Sequence, residues 1–271
     1  MVDGALDEDI GRGDLTTAVA VPPGTMGAFT IRARQPMVVA GIDITAYTFR
    51  VLAPDCEIDI HLADGSEAEA GAAIAHISGP APGLLTAERT GLNYLQFLSA
   101  IATCARDYVR AIEGTKAVMI DTRKTLPGYR NLSKYASRLG GVRNHRIRLD
   151  DGVLIKDNHI AIAGSVAAAV EGARRGTPLL TKIEVECDTL DQAEEAIAAG
   201  ADILLLDNMS PDTLREAVRL TDGRVPLEAS GGVTLDTVRA IAETGIDFVS
   251  SGRITQSPPA IDIGLDVTLK N

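Results

Sequence analysis

The sequence predicts an α/β protein in which a small α+β region precedes a series of consecutive βα units around a parallel sheet. Three observations predict it. Ile183, Leu205, Leu227 and Val249 recur every 22 residues, each inside a short apolar run. Helical patterns with their own start and stop signals fill the intervals. The first third of the chain lacks that rhythm and is punctuated irregularly by Gly, Pro and Asp. A length of 271 residues allows one large domain or two smaller ones.

Taken in order, residues 28–33, 37–39 and 57–62 read as strands, and 72–77 as a weaker one. Between 84 and 112, Leu92, Leu95, Leu98, Ala102, Ala105, Val109 and Ile112 keep helical spacing, with Gly91 and 99–103 able to divide the helix in two. The apolar runs 117–120, 153–155, 179–185, 203–206, 225–227 and 248–249 give at least six strands of βα type. Ser165, Thr189 (or Asp188), Ser210-Pro211 and Thr234 open the helices between them, and Gly176, Gly200 and Gly245 close three of these.

Composition narrows the function classes. With 45% hydrophobic and 23% charged residues the chain is an ordinary globular one, not a disordered one. No apolar run approaches the roughly 18–20 residues of a membrane span, and no basic-then-apolar export signal is expected at the N-terminus. Cys56, Cys104 and Cys187 form no CxxC pair and read as reduced core thiols of a cytoplasmic protein. A net charge of −11 disfavours nucleic acid and anionic membrane as partners. Against that background, residues 121–160 hold nine Lys or Arg and four Asp. A cationic island in an anionic protein points to a local anion site.

Each strand run ends in chemistry, and in a βα barrel such ends converge at one mouth. Arg123-Lys124, then His145 and Arg146 after Gly140-Gly141, then Lys156 supply cations from three segments. Such a set suits a ligand with several negative groups, a polycarboxylate or a pyrophosphate. Arg130, Lys134 and Arg138, spaced by four, read equally well as a solvated helix face or a subunit contact. Glu186 and Asp207 end neighbouring strands; they could hold Mg²⁺ through oxygens, accept hydrogen bonds from sugar hydroxyls, or balance the cations. Ser230-Gly231-Gly232 and Ser251-Gly252, on successive loops, suit a phosphate grip. His145 and His159 lack zinc-type spacing, and there is neither a GxGxxG nor a GxxxxGK[ST] motif.

These motifs resemble one family. EDIGRGDLTT (8–17), AERTGLN (87–93), LSAIAT (98–103), DTRKTLPGYR (121–130), KYA (134–136), GGVRNHR (140–146), LIKDNHI (154–160), LLDNM (205–209), EASGG (228–232) and SGRITQS (251–257) are similar to quinolinate phosphoribosyltransferases over nearly the whole chain. The resemblance implies an N-terminal α/β sandwich over 1–98 and an incomplete βα (TIM-like) barrel over 99–271, with the last residues able to return to the first domain. It implies that quinolinate and phosphoribosyl pyrophosphate, with Mg²⁺, yield nicotinate mononucleotide, pyrophosphate and CO₂ in NAD biosynthesis. A homodimer with shared active sites is expected as well. Arg123, Lys124, His145, Arg146 and Lys156 match positions that hold the two quinolinate carboxylates, and Arg89 one supplied across the dimer. Lys156, Glu186 and Asp207 are the expected catalytic groups, the two acids lying near the ribose and the metal. Ser230, Gly231, Gly232 and Gly252, with Ser251 beside them, match the 5′-phosphate grip. Gln256 stands where the family commonly has His, and the N-terminus looks short for the family. Rival readings are a phosphoribosyltransferase for another pyridine acid, a non-catalytic binding relative, and an aldolase-like barrel using Lys156 as a Schiff base.

Overall fold

The computed structural model describes residues 1–268. The described chain divides into two compact units, 1–104 with 258–268, and 105–257. The division between these units falls at 104/105, inside a helix.

The first unit opens with α1 (Val2–Ile10) and α2 (Leu15–Ala20), the latter capped by Asp14, whose carboxylate accepts the Thr17 N–H at 2.9 Å. There follow β1 (Met26–Ala33), β2 (Met37–Val38), α3 (Ile42–Leu52), β3 (Glu57–Ile60), β4 (Glu67–Ala68), β5 (Ala73–Pro80) and α4 (Ala81–Ala111). Phe29, Ile31 and Ala33 alternate along β1 and bury one sheet face. That face packs with Ile42 and Phe49 of α3 and with Leu84, Leu92 and Leu95 of α4. Each such large apolar side chain contributes about 1.5–3 kcal/mol when buried.

Three expectations change here. The helix expected over 84–112 is one unbroken element, α4, which ends at Ala111. Gly91 does not interrupt it, because a Cβ there would meet Phe49 at 3.3 Å; the glycine permits close packing. Ser99 and Thr103 accept the N–H groups of Ala40 and Val38, so their hydroxyls are used in packing the helix. Residues 72–77, read as a weaker strand, belong to the longer β5 (Ala73–Pro80), which pairs with both β1 and β3.

The second unit contains β6 (Val118–Ile120), α5 (Arg130–Leu139), β7 (Val153–Ile155), α6 (Asp157–Ala163), α7 (Val166–Gly176) and β8 (Ile183–Cys187). It continues with α8 (Leu190–Ala198), β9 (Ile203–Asp207), α9 (Pro211–Thr221), β10 (Leu227–Ser230), α10 (Leu235–Ala242), β11 (Phe248–Ser250) and α11 (Arg253–Gln256). Its six strands are parallel in the order β6-β11-β10-β9-β8-β7. The consecutive strands β6 and β7 therefore lie at opposite edges, and the barrel is incomplete. A single parallel bridge from Arg143 to Ile120 covers the edge of β6. Leu179 and Leu180, expected to begin a strand, are almost wholly exposed; β8 starts at Ile183.

Two aspartates tie strand starts together. Asp202 accepts the Ile183 N–H, and Asp247 the Leu227 N–H, each at 2.9 Å. After β11 the chain forms β12 (Ile263–Val267), which lies antiparallel to β1 and completes the first unit's sheet in the order β12-β1-β5-β3. Among the described residues no helix is long and apolar enough to cross a membrane. All three cysteines are free, and burial pushes the Cys187 thiol up to about 12, which makes it inert.

Asp202→Ala should lower the unfolding free energy by about 1–3 kcal/mol, because it strips the buried Ile183 N–H of its acceptor. Urea denaturation measures this, and an unchanged midpoint would contradict it.

Candidate active site

A cavity of about 390 Å³ opens in the second unit and is lined by residues at and just beyond the carboxyl ends of its strands. Register explains who faces it. Leu154 pairs with Glu184 and Glu186 with Leu205, while Leu205 pairs with Glu228 and Asp207 with Ser230. Alternate residues of each parallel strand therefore share the inner face.

One buried carboxylate organises the cationic side. Asp121, fully buried at the end of β6, accepts Lys134 Nζ at 2.5 Å, Ser137 Oγ at 2.8 Å, Asn144 Nδ2 at 2.6 Å and the His145 N–H at 2.9 Å. Lys134 also donates to the His145 carbonyl at 3.1 Å. Burial pulls the Lys134 ammonium down, and the charge of Asp121 opposes that. Lys134 is thus an internal counterion, not part of a solvated face, although Arg138 on the same row is exposed.

The hub fixes the segments on either side of it. Arg123, Lys124, His145, Arg146 and Lys156 all line the cavity. Arg123 Nε is buried and has no hydrogen-bond partner. Burial lowers Arg146, and the charge of Arg123 lowers it further, so the two guanidiniums repel across the cavity. Arg146 is held by donating to the Gly152 carbonyl at 2.9 Å. An orphaned donor between crowded cations is the chemistry of an anion site. Lys156 pairs with Glu186. His159 does not join the site; its Nδ1 accepts the Lys156 N–H at 2.9 Å and caps α6. Arg143 stacks its guanidinium 5.9 Å from the centre of the Phe248 ring, away from this cavity's lining.

Glu186 and Asp207 line the acidic side. Asp207 accepts Asn208 Nδ2 at 2.6 Å. Two carboxylates on adjacent strands form an all-oxygen donor set, which fits a hard divalent ion. Behind them lies a pair of strand-end acids that sequence reasoning left without a role. Glu184 and Glu228 are buried, and His145 Nε2 is 2.7 Å from Glu184 and 3.5 Å from Glu228. Together the three have ligand atoms within 4.8 Å of one another, as a metal would require. Burial, and then the charge of Glu184, raise Glu228 well above the usual carboxylate range. The readable signal was Glu184-x-Glu186, since residues two apart on a strand share a face.

A second pocket of about 170 Å³ adjoins the first, sharing Lys124, Ser230 and Ser250 with it, and is lined by Gly231, Gly232, Ser251, Gly252, Arg253 and Gln256. Gly231 has φ +87, and a Cβ there would lie 2.3 Å from Asn208 Oδ1. A Cβ on Gly252 would lie 2.7 Å from Lys124 Cδ. The first loop therefore needs glycine at 231, and at 252 a side chain would displace Lys124. The Ser251 hydroxyl donates to the Val233 carbonyl at 3.0 Å, tying the two loops together. Arg89 belongs to the first unit, where it is exposed and 3.3 Å from Glu88.

Comparison with known proteins gives a consistent outcome. Residues 14–99 match the family model described as quinolinate phosphoribosyl transferase, N-terminal domain, and 101–266 the C-terminal domain model. A Bacillus subtilis protein named probable nicotinate-nucleotide pyrophosphorylase (carboxylating) is 44% identical, covering 97% of this chain and 91% of its own length. The human protein named nicotinate-nucleotide pyrophosphorylase (carboxylating) is 37% identical, covering 100% of this chain and 91% of its own. A solved structure of the nicotinate-nucleotide pyrophosphorylase from Francisella tularensis superposes with a TM-score of 0.94 at 40% identity, covering 98% of this chain and 94% of that one.

Asp121→Ala should cost about 3–5 kcal/mol, because it leaves the buried Lys134 ammonium unpaired. Chemical denaturation checks this; a loss under about 1 kcal/mol would contradict the hub. Glu228 supplies a pH dependence. Its folded value is raised, so its contribution is complete below the ordinary carboxyl value of 4.5 and is lost as pH rises through the folded one. As pH rises above 4.5, wild type should lose stability more steeply than Glu228→Gln in parallel urea titrations. Identical slopes would contradict the assignment.

Proposed function

Because the chain belongs to the quinolinate phosphoribosyltransferase family, we propose that its barrel mouth joins quinolinate to phosphoribosyl pyrophosphate. The products are nicotinate mononucleotide, pyrophosphate and CO₂, a step of NAD biosynthesis. One observation carries the reading. Arg123, Lys124, Arg146 and Lys156, from three separate segments, line one cavity, and a buried Arg123 Nε–H there lacks a partner.

The residues divide the work by charge. Arg123, Arg146 and Lys156 hold the two carboxylates of the pyridine, in the two-point geometry that guanidinium favours. Glu186 and Asp207 face the ribose hydroxyls and would hold Mg²⁺ through their oxygens, and that ion would neutralise the departing pyrophosphate. Ser230, Gly231, Gly232 and Gly252 present backbone N–H groups to the 5′-phosphate. Held in line, the pyridine nitrogen attacks C1 of the ribose as the C1–oxygen bond to pyrophosphate breaks. The resulting pyridinium draws the bonding pair of the 2-carboxylate into the ring. CO₂ leaves, and the ring carbon takes a proton. The protein's contribution is orientation and a preorganised field.

The family resemblance supports a homodimer in which Arg89 of each subunit serves its partner's site. Three free cysteines support a cytoplasmic setting.

Incubation with quinolinate, phosphoribosyl pyrophosphate and Mg²⁺ should release CO₂, and nicotinate in place of quinolinate should give no comparable nucleotide. Equal use of nicotinate would favour a phosphoribosyltransferase for another pyridine acid. Lys156→Ala and Arg123→Ala should each lower kcat/KM by about 3–4 kcal/mol of transition-state stabilisation. Near-unchanged efficiency in either variant would refute its role.

A further inference from the structure

We infer that Glu184 is a positioning residue that sets the substrate-binding Arg146 through His145, and that His145 acts as the relay and not as a ligand of the substrate. This inference rests on the function proposed above. Both imidazole nitrogens are already engaged inside the protein. Nδ1 accepts the Arg146 N–H at 2.7 Å, so Nδ1 carries no proton. Nε2 then holds the ring proton and donates it to Glu184 Oε2 at 2.7 Å. The ring is therefore a strut between a buried strand carboxylate and the backbone of the next residue.

The strut is anchored at each end. Glu184 is 5% exposed and sits inside β8, a strand paired on both sides. The His145 N–H is held by Asp121 at 2.9 Å. Arg146 is set at its backbone by the ring and at its side chain by the Gly152 carbonyl, 2.9 Å from Nη1. Its guanidinium has little freedom left, which suits a group that must meet a carboxylate along two parallel bonds. The family resemblance places His145 on a substrate carboxylate. In the arrangement seen here neither ring nitrogen has a bond left to offer.

The test is a double-mutant cycle on Glu184→Ala and His145→Ala, read as kcat and as KM for each substrate separately. Glu184→Ala should raise KM for quinolinate about tenfold, since the acceptor of the half-buried His145 Nε2–H is removed. KM for phosphoribosyl pyrophosphate should stay within about twofold. Glu184→Gln should restore most of the loss, because its amide oxygen accepts the same Nε2–H. In the His145→Ala background, Glu184→Ala should add less than about twofold. A full additional loss there would overturn the inference, and so would a fall in kcat with both KM values unchanged. Nitrogen NMR of His145 in the wild-type protein provides a readout without turnover. Nε2 protonated and Nδ1 bare is the expected result, and any other protonation pattern overturns the inference. A wild-type protein that released no CO₂ would count against the proposed function alone.

Discussion

The cationic mouth depends on the Asp121 carboxylate. Guanidinium and ammonium groups repel each other, and nothing in a βα barrel gathers them at one opening by itself. Asp121 sits fully buried at the end of β6 and takes bonds from Lys134, Ser137, Asn144 and the His145 backbone. A carboxylate that accepts so many donors has its lone pairs filled, which makes a charge tolerable inside a protein. The consequence is geometric: the end of β6, the body of α5 and the 143–146 segment are fixed to one point. Arg123 leaves from one side of that point and Arg146 from the other.

The acids then decide how much positive charge remains for a ligand. Lys134 is neutralised by Asp121, and Lys156 is paired with Glu186. Glu184 is engaged by His145, and Glu228 is pushed towards its neutral form by burial and by Glu184. Arg123, Lys124 and Arg146 are left without a carboxylate partner in the cavity, with one buried guanidinium donor unused. A dianionic pyridine placed between them would offset the repulsion between these cations. The site thus has strain of the kind that favours bound anion over bare protein.

Much of this was legible in the sequence, for a physical reason. The 22-residue rhythm reports βα units, and the polar residue just past each apolar run must sit at a strand's carboxyl end. Arg123, Lys156, Asp207 and Ser230 were readable by that rule. The hub was not. Its members are 13 to 24 residues apart, and Lys134 stands in a row of cations that looks solvated. Glu184 and Glu228 were readable as strand-end acids, but their role was not: only register shows that they face inward behind Glu186 and Asp207, within reach of His145. In the first unit, α3 carries β-branched and aromatic residues, and its helical form depends on burying Ile42 and Phe49. The pairing of β12 with β1 joins residues 230 to 238 apart, a distance no local pattern reports.

The most direct test of this account is a crystal structure of the chain with quinolinate bound. The account predicts both carboxylates on Arg123, Arg146 and Lys156, with Asp121 still holding Lys134, Ser137, Asn144 and the His145 backbone. A dicarboxylate seated elsewhere, or a mouth whose cations hold their places with Asp121 released from those partners, would contradict it.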